Sequence, residues 1–150
     1  MLALGDSVML GAASKVQALG FVVDAVESRQ FADGVEVAET LKEQGRLGDV
    51  VLLHLGTNGD IKPESMQRMM TALADVPKVI LLTNDVDREW TAGNNALIYE
   101  TAANNPNVQL VAWNDLNDLC VDNCFATDGF HMSANGSTFY AQVISDFLNQ

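Results

Sequence analysis

Residues 49–56 read DVVLLHLG, and every position from Val50 to Leu55 except His54 is apolar. A strand with one wet face alternates apolar and polar side chains. An unbroken apolar run marks a strand buried on both faces, as in a parallel sheet covered by helices on each side. Working toward the C-terminus, Pro63 and Glu64 open a helix that runs through ESMQRMMTALAD (64–75), with proline in its first turn. KVILLTN (78–84) reads as a second buried strand, a helix follows around residues 92–103, VQLVAW (108–113) is a strand, and ANGSTFYAQVISDFLNQ (134–150) is the last helix. Working toward the N-terminus, DGVEVAETLKEQG (33–45) is a helix with Asp33 as N-cap and Val37, Ala38 and Leu41 on one face. FVVDAV (21–26) is a strand, and SVMLGAASKVQALG (7–20) is a helix closed by Gly20. Residues 2–5 form the first strand. Strands and helices in strict alternation predict an α/β chain: a three-layer α/β/α sandwich around a roughly five-stranded parallel sheet, flavodoxin-like in class. Periodicity leaves the strand order open. With no repeat, low-complexity stretch or linker, residues 1–150 read as one domain.

Bulk properties narrow the function. The chain is 48% hydrophobic and 19% charged, the composition of a globular domain. Eight basic residues stand against 20 acidic ones, a net charge of −12, and none of the basic residues cluster. A nucleic-acid partner is thereby excluded, because phosphate backbones are bound by grouped Lys and Arg. No segment reaches the roughly 18 consecutive apolar residues of a membrane span, and no signal peptide is present. Met1 sits almost directly on the first strand, which suggests a domain excised from a longer protein. Cys120 and Cys124 admit two readings: a disulfide across the tight loop LCVDNC, or two reduced, half-buried thiols. A structural zinc site usually takes four ligands and the chain's only histidines are His54 and His131, so no metal is expected.

Three distant segments carry the chemistry. Gly5-Asp6-Ser7 follows the first strand and precedes a helix, where a serine hydroxyl faces the ligand edge of an α/β sheet. Asp128-Gly129-Phe130-His131 places a carboxylate three residues ahead of a histidine, a spacing that lets the acid orient the base. Gly56-Thr57-Asn58-Gly59 follows the most hydrophobic strand and offers the Asn58 carboxamide as an oxyanion donor. Nucleophile, base, orienter and donor are the parts of serine acyl transfer. Each segment also has a plainer reading: Asp6 or Ser7 as a helix cap, His131 as a loop residue, Asn58-Gly59 as a turn. Asp6 is expected to bond nearby backbone, and His54, among apolar neighbours, to be a hydrogen-bonded core histidine. Met66, Met69 and Met70 fall at helical spacing and read as core filler or helix surface. Arg29 is a candidate for substrate positioning or for bracing the Asn58 loop. Arg88 and Trp90 lie in NDVDREWTAGNN, which should flank the cleft, and Trp90 either stacks on a sugar face or plugs the core edge.

The order Gly-Asp-Ser, Gly-x-Asn, Asp-x-x-His resembles the SGNH (GDSL-type) hydrolase superfamily from residue 5 to the final helix. More narrowly, GDSVMLGA, SRQ, HLGTNG and DGFHMSANGSTFYA resemble the extracellular C-terminal SGNH domain of bacterial membrane acyltransferases of the peptidoglycan O-acetyltransferase type. The resemblance implies Ser7 as nucleophile, His131 as general base and acid, Asp128 as its orienter, and Asn58 with the Ser7 N–H as oxyanion hole. Arg29, Gln30, Arg88 and Trp90 would meet substrate. It implies no cofactor, an acyl donor and a glycan acceptor as partners, and a membrane acyltransferase domain in the parent chain, with this domain on the extracellular face. The superfamily's second-block glycine is missing from Ser28-Arg29-Gln30-Phe31, so a third oxyanion donor comes from another backbone N–H there or is lost. Plain hydrolysis of acetylated carbohydrate or small esters is the alternative activity, and a catalytically silent glycan-binding module is the alternative class.

Overall fold

The computed structural model describes residues 1–149. Five strands, β1 (Leu2–Gly5), β2 (Val22–Ala25), β3 (Val50–His54), β4 (Lys78–Leu82) and β5 (Val108–Val111), form one parallel sheet in the order β2-β1-β3-β4-β5. Strand side chains alternate between the two faces. On one face Leu2, Leu4, Val51, Leu53, Val79 and Leu81 pack beneath α3 (Phe31–Glu43), α4 (Pro63–Ala72) and α5 (Thr91–Asn104). On the other, Ala3, Leu52, Ile80, Leu82 and Val111 meet α1 (Ser7–Gly11), α2 (Ala13–Ala18) and α7 (Ala134–Leu148). Because β3 is covered on both sides, Val51, Leu52 and Leu53 are all fully buried, the physical content of the unbroken apolar run. Met66 and Met69 are core residues of α4, and Met70 packs at its margin.

The chain runs outward from β1 to β2 and then returns to the opposite side of β1 as β3. That reversal opens a crevice at the carboxyl ends of β1 and β3. The register pairs Gly5 with His54, so the turn after β1 and the loop after β3 leave the sheet side by side.

Several element ends differ from the sequence reading. The helix expected over 7–20 breaks at Ala12, where Ser137 of α7 donates its hydroxyl to the Gly11 carbonyl at 3.0 Å. α3 begins at Phe31, which is buried. Gln30 is its N-cap, and Asp33 sits a turn inside, its carboxylate accepting the Gln30 N–H at 3.2 Å. α4 stops at Ala72 instead of Asp75. Trp113 does not end β5 but opens a short helix, α6 (Trp113–Leu116), followed by a 3-10 turn (Asn117–Leu119). The reason is packing: Trp113 is buried among His54, Phe125, Phe139 and Tyr140. The expected end of the last helix at Gln150 lies outside the described residues.

Candidate active site

Ser7 is the first residue of α1. Asp6 caps that helix, its Oδ1 accepting the Val8 N–H at 3.0 Å, and its Oδ2 accepts the Thr57 N–H at 3.4 Å from the loop after β3. The fully buried Asp6 carboxylate therefore ties the serine turn to the Asn58 loop through backbone donors.

His131 reaches Ser7 from the far end of the chain. Its Nε2 lies 3.0 Å from Ser7 Oγ, and its Nδ1 lies 2.7 Å from Asp128 Oδ2. An ionised carboxylate only accepts, so Nδ1 carries the proton and Nε2 presents a lone pair to the serine hydroxyl. Asp128 is fixed in turn by its own loop: Oδ1 accepts the backbone N–H groups of Phe130 at 3.1 Å and His131 at 3.0 Å. The His131 hydrogen bond, followed by these two backbone donors, lowers the carboxyl to a pKa of about 2.

A small antiparallel loop carries this pair. Ala126 N–H donates to the His131 carbonyl at 2.8 Å, Phe125 bridges Met132, and Ser133 N–H donates to Cys124 O at 2.8 Å before Ser133 caps α7. In that loop Cys120 and Cys124 are bonded to each other. Ser133 Oγ and Asn135 Nδ2 donate to the carbonyls of Asn123 and Asp122, fastening the disulfide loop to the start of α7.

The Asn58 loop is held from several sides. One N–H of its carboxamide donates to the Arg29 carbonyl at 3.3 Å. Gly56 has φ +122, and a Cβ there would lie 2.6 Å from Asn84 Nδ2; only glycine allows this approach. Asn94, buried in the first turn of α5, donates to the carbonyls of Gly56 (3.0 Å) and Gly59 (2.9 Å) and accepts the Ile61 N–H (2.7 Å). Asn84 Nδ2 donates to Leu55 O, and Asn95 exchanges two bonds with the Asn84 backbone. Sequence reasoning missed this asparagine clamp. Its one signal was the density of asparagine at the start of a helix flanking the cleft.

The structure separates the other candidates. The Arg29 guanidinium turns away from the cleft: Nη1 donates to the carbonyls of Gly5 (3.1 Å) and Asp24 (2.7 Å), and Nη2 pairs with Asp24 Oδ1 at 2.6 Å. Its expected side-chain contact with substrate or with the Asn58 loop is thus corrected. The backbone carbonyl meets Asn58, while the side chain, 8% exposed, ties β1 to β2. In the second block, the Arg29 N–H donates to Val26 O and the Gln30 N–H to Asp33, so neither is free for an oxyanion. Gln30, Arg88, Trp90 and Phe130 line a pocket of about 310 Å³ beside Asn58. Trp90 is anchored there, its Nε1–H donating to Thr57 O at 3.3 Å. His54 is buried behind the site, its Nδ1 3.0 Å from the Tyr140 hydroxyl, and burial lowers its pKa. Among the described residues, no three or more His, Cys, Asp or Glu side chains converge as metal ligands would.

A Ser–His–Asp line at the carboxyl edge of a parallel sheet ordered β2-β1-β3-β4-β5 sits on the SGNH hydrolase fold, and comparison with solved structures agrees. The chain matches the C-terminal catalytic domain of the peptidoglycan O-acetyltransferase OatA of Streptococcus pneumoniae, solved with a methylsulfonyl adduct. That match has a TM-score of 0.80 and 21% identity, covering 99% of this chain and 91% of the other. A carbohydrate esterase family 3 protein of Talaromyces cellulolyticus matches with a TM-score of 0.71 and 19% identity, over 99% and 95%. In sequence, the chain is similar to the peptidoglycan O-acetyltransferase OatA of Listeria monocytogenes, 29% identical over 150 residues. That alignment covers 99% of this chain but 24% of the relative, so the chain spans about a quarter of that protein's length. No protein-family model matches it.

Proposed function

We infer that this chain is a serine acyltransferase that moves an acetyl group onto a hydroxyl of a cell-envelope glycan such as peptidoglycan. The observation that carries the reading is the continuous hydrogen-bonded line from Ser7 through His131 to Asp128; the likeness to peptidoglycan O-acetyltransferases supplies the acyl group and the acceptor class. Ser7 Oγ attacks the carbonyl carbon of an acetyl donor while His131 Nε2 takes the hydroxyl proton. The oxyanion that forms is met by the second N–H of the Asn58 carboxamide and by the Ser7 backbone N–H, each such donor contributing about 3 kcal/mol. The donor's ester bond breaks, its leaving group takes the proton from His131, and acetyl-Ser7 remains. An acceptor hydroxyl then gives its proton to His131 and attacks acetyl-Ser7, and Ser7 Oγ recovers the proton as it leaves. Asp128 stays a carboxylate throughout, holding the imidazole tautomer and stabilising the imidazolium.

Hydrolysis is a second reading, favoured by the openness of the pair: the His131 and Asp128 side chains are 41% and 40% exposed, so water reaches the acyl-enzyme as well as a sugar does. The relatives are about four times as long as this chain, which supports reading it as one domain of a longer protein, and the likeness to peptidoglycan O-acetyltransferases favours a membrane-bound parent with this domain outside the cell. No helix of the described residues is long and apolar enough to cross a membrane. The test is to incubate the protein with an activated acetyl ester, with and without chito-oligosaccharide or peptidoglycan fragments, beside Ser7→Ala. Ser7-dependent appearance of acetyl on the glycan supports transfer. Ser7-dependent release that never marks a glycan makes the protein an esterase, and equal behaviour of the two proteins leaves the silent binding module.

A further inference from the structure

The pocket beside Asn58 differs in charge from the rest of the molecule. The chain carries 20 acidic residues and a net charge of −12, yet this pocket is lined by no carboxylate and by one cation, Arg88. Four other surface hollows each contain at least one Asp or Glu. Of the eight Lys and Arg, Arg29, Lys42, Lys62 and Arg68 are each paired with a carboxylate; among the described residues Lys15, Arg46, Lys78 and Arg88 are not, and of these four only Arg88 lines this pocket. Among the described residues, no carboxylate lies within ion-pair distance of Arg88, whose Nη1 donates to the carbonyl of its neighbour Asp87 at 2.9 Å. Asp85, on the same loop, accepts from Asn117 Nδ2 and does not line the pocket; nor do Asp87 and Glu89, which flank Arg88 in sequence. Trp90 and Phe130 give the pocket two aromatic members in an otherwise mostly polar lining. Trp90 has its N–H committed to Thr57 O, so a ring held in place, not a donor, faces the ligand. Phe130 lies against the His131 imidazole, ring centroids 4.3 Å apart, which places it between this pocket and the catalytic pair.

We propose that this pocket is an acceptor subsite for a carboxylate-bearing glycan: Arg88 pairs with the carboxylate while a sugar ring lies against Trp90. The proposal rests on the transfer reading above and adds to it the charge of the acceptor. A guanidinium matches a carboxylate in a planar, two-bond geometry that a neutral side chain cannot offer. An anionic acceptor is repelled by the molecule as a whole, so an unpaired cation beside Asn58 offsets that repulsion where the sugar must dock.

The test uses wild type, Arg88→Gln and Arg88→Lys with one acetyl ester and four acceptors of equal length. These are a peptidoglycan glycan oligomer freed of stem peptides, the same oligomer with its lactyl carboxylates converted to methylamides, the oligomer with stem peptides retained, and neutral chito-oligosaccharide. Wild type should favour the free carboxylate over its methylamide by about 1.5- to fivefold in kcat/KM, chiefly through KM, as expected for one exposed ion pair. Arg88→Gln should level the two acceptors, and Arg88→Lys should keep part of the difference. An Arg88-dependent gain confined to the oligomer with stem peptides assigns the carboxylate to the peptide. Equal use of the free and amidated oligomers by wild type with no Arg88-dependent gain on the stem-peptide oligomer, or a preference that survives Arg88→Gln, overturns the subsite alone. Acetylation of no acceptor overturns the transfer reading and the subsite with it.

Discussion

Asp128 orders the chemistry of the site while remaining outside it. Three hydrogen bonds, first that from His131 and then two from backbone N–H groups, lower its carboxyl from 3.8 to about 2. The unfolded chain therefore binds this proton first, so the turn from 128 to 131 keeps the stabilisation above about pH 4 and loses it as pH falls toward about 2. Because the folded carboxyl titrates only near about 2, Asp128 should add no ionisation step to the rate profile above about pH 4, which a pH–rate profile of the wild type checks. Asp128→Asn keeps the shape but no longer fixes the proton on Nδ1, and kcat should drop about 10²- to 10⁴-fold with little change in KM. The pairing of Asp128 with His131 was legible in the sequence because it closes within four residues, whereas the approach of His131 to Ser7, 124 positions away, is set by the fold. Arg29 was not legible either, because its partners, Gly5 O and Asp24, are set by how β1 and β2 pair.

Between elements, the first turn of α5 works as a clamp on the loop after β3. Asn94 makes three bonds to that loop and Trp90 makes a fourth, all within a few residues of Asn58. A donor stabilises an oxyanion without reorganisation only if its loop is already still. Asn94→Ala should therefore lower kcat about tenfold or more while KM for the donor ester moves little, with a stability loss of about 1–3 kcal/mol from unpaired backbone groups. Steady-state kinetics beside a urea titration separates the two effects. If kcat is unchanged in protein that remains folded, the clamp is structural only. The helix around α5 was legible from its pattern. The direction in which Asn94 points was not, since asparagine reads equally as a turn former or an exposed helix residue. Element ends failed where a tertiary partner outbid the local preference: Ser137 broke the first helix at Gly11, and the aromatic cluster drew Trp113 out of β5.

For the molecule as a whole, the layered class followed from one doubly buried strand, but the strand order did not, because apolar runs say which strands are central and not which are neighbours. That order is what brings residues 7, 58 and 131 to one crevice. The same packing buries His54 against Tyr140, and burial holds its imidazole below 6.5. The unfolded chain therefore takes up this proton first, so global stability should fall as pH drops through about 6.5. His54→Gln should flatten that part of the curve, read as urea midpoints at neutral pH and at about pH 5. The central claim is that three distant segments make one covalent acyl-transfer site, and the most direct measurement is peptide mapping by mass spectrometry after rapid quenching from an activated acetyl ester. One acetyl group should appear on the peptide containing Ser7, be absent in Ser7→Ala, and disappear when glycan is added, at the rate acetylated glycan forms. Turnover with no acetyl on Ser7, or equal turnover by Ser7→Ala, would contradict the account.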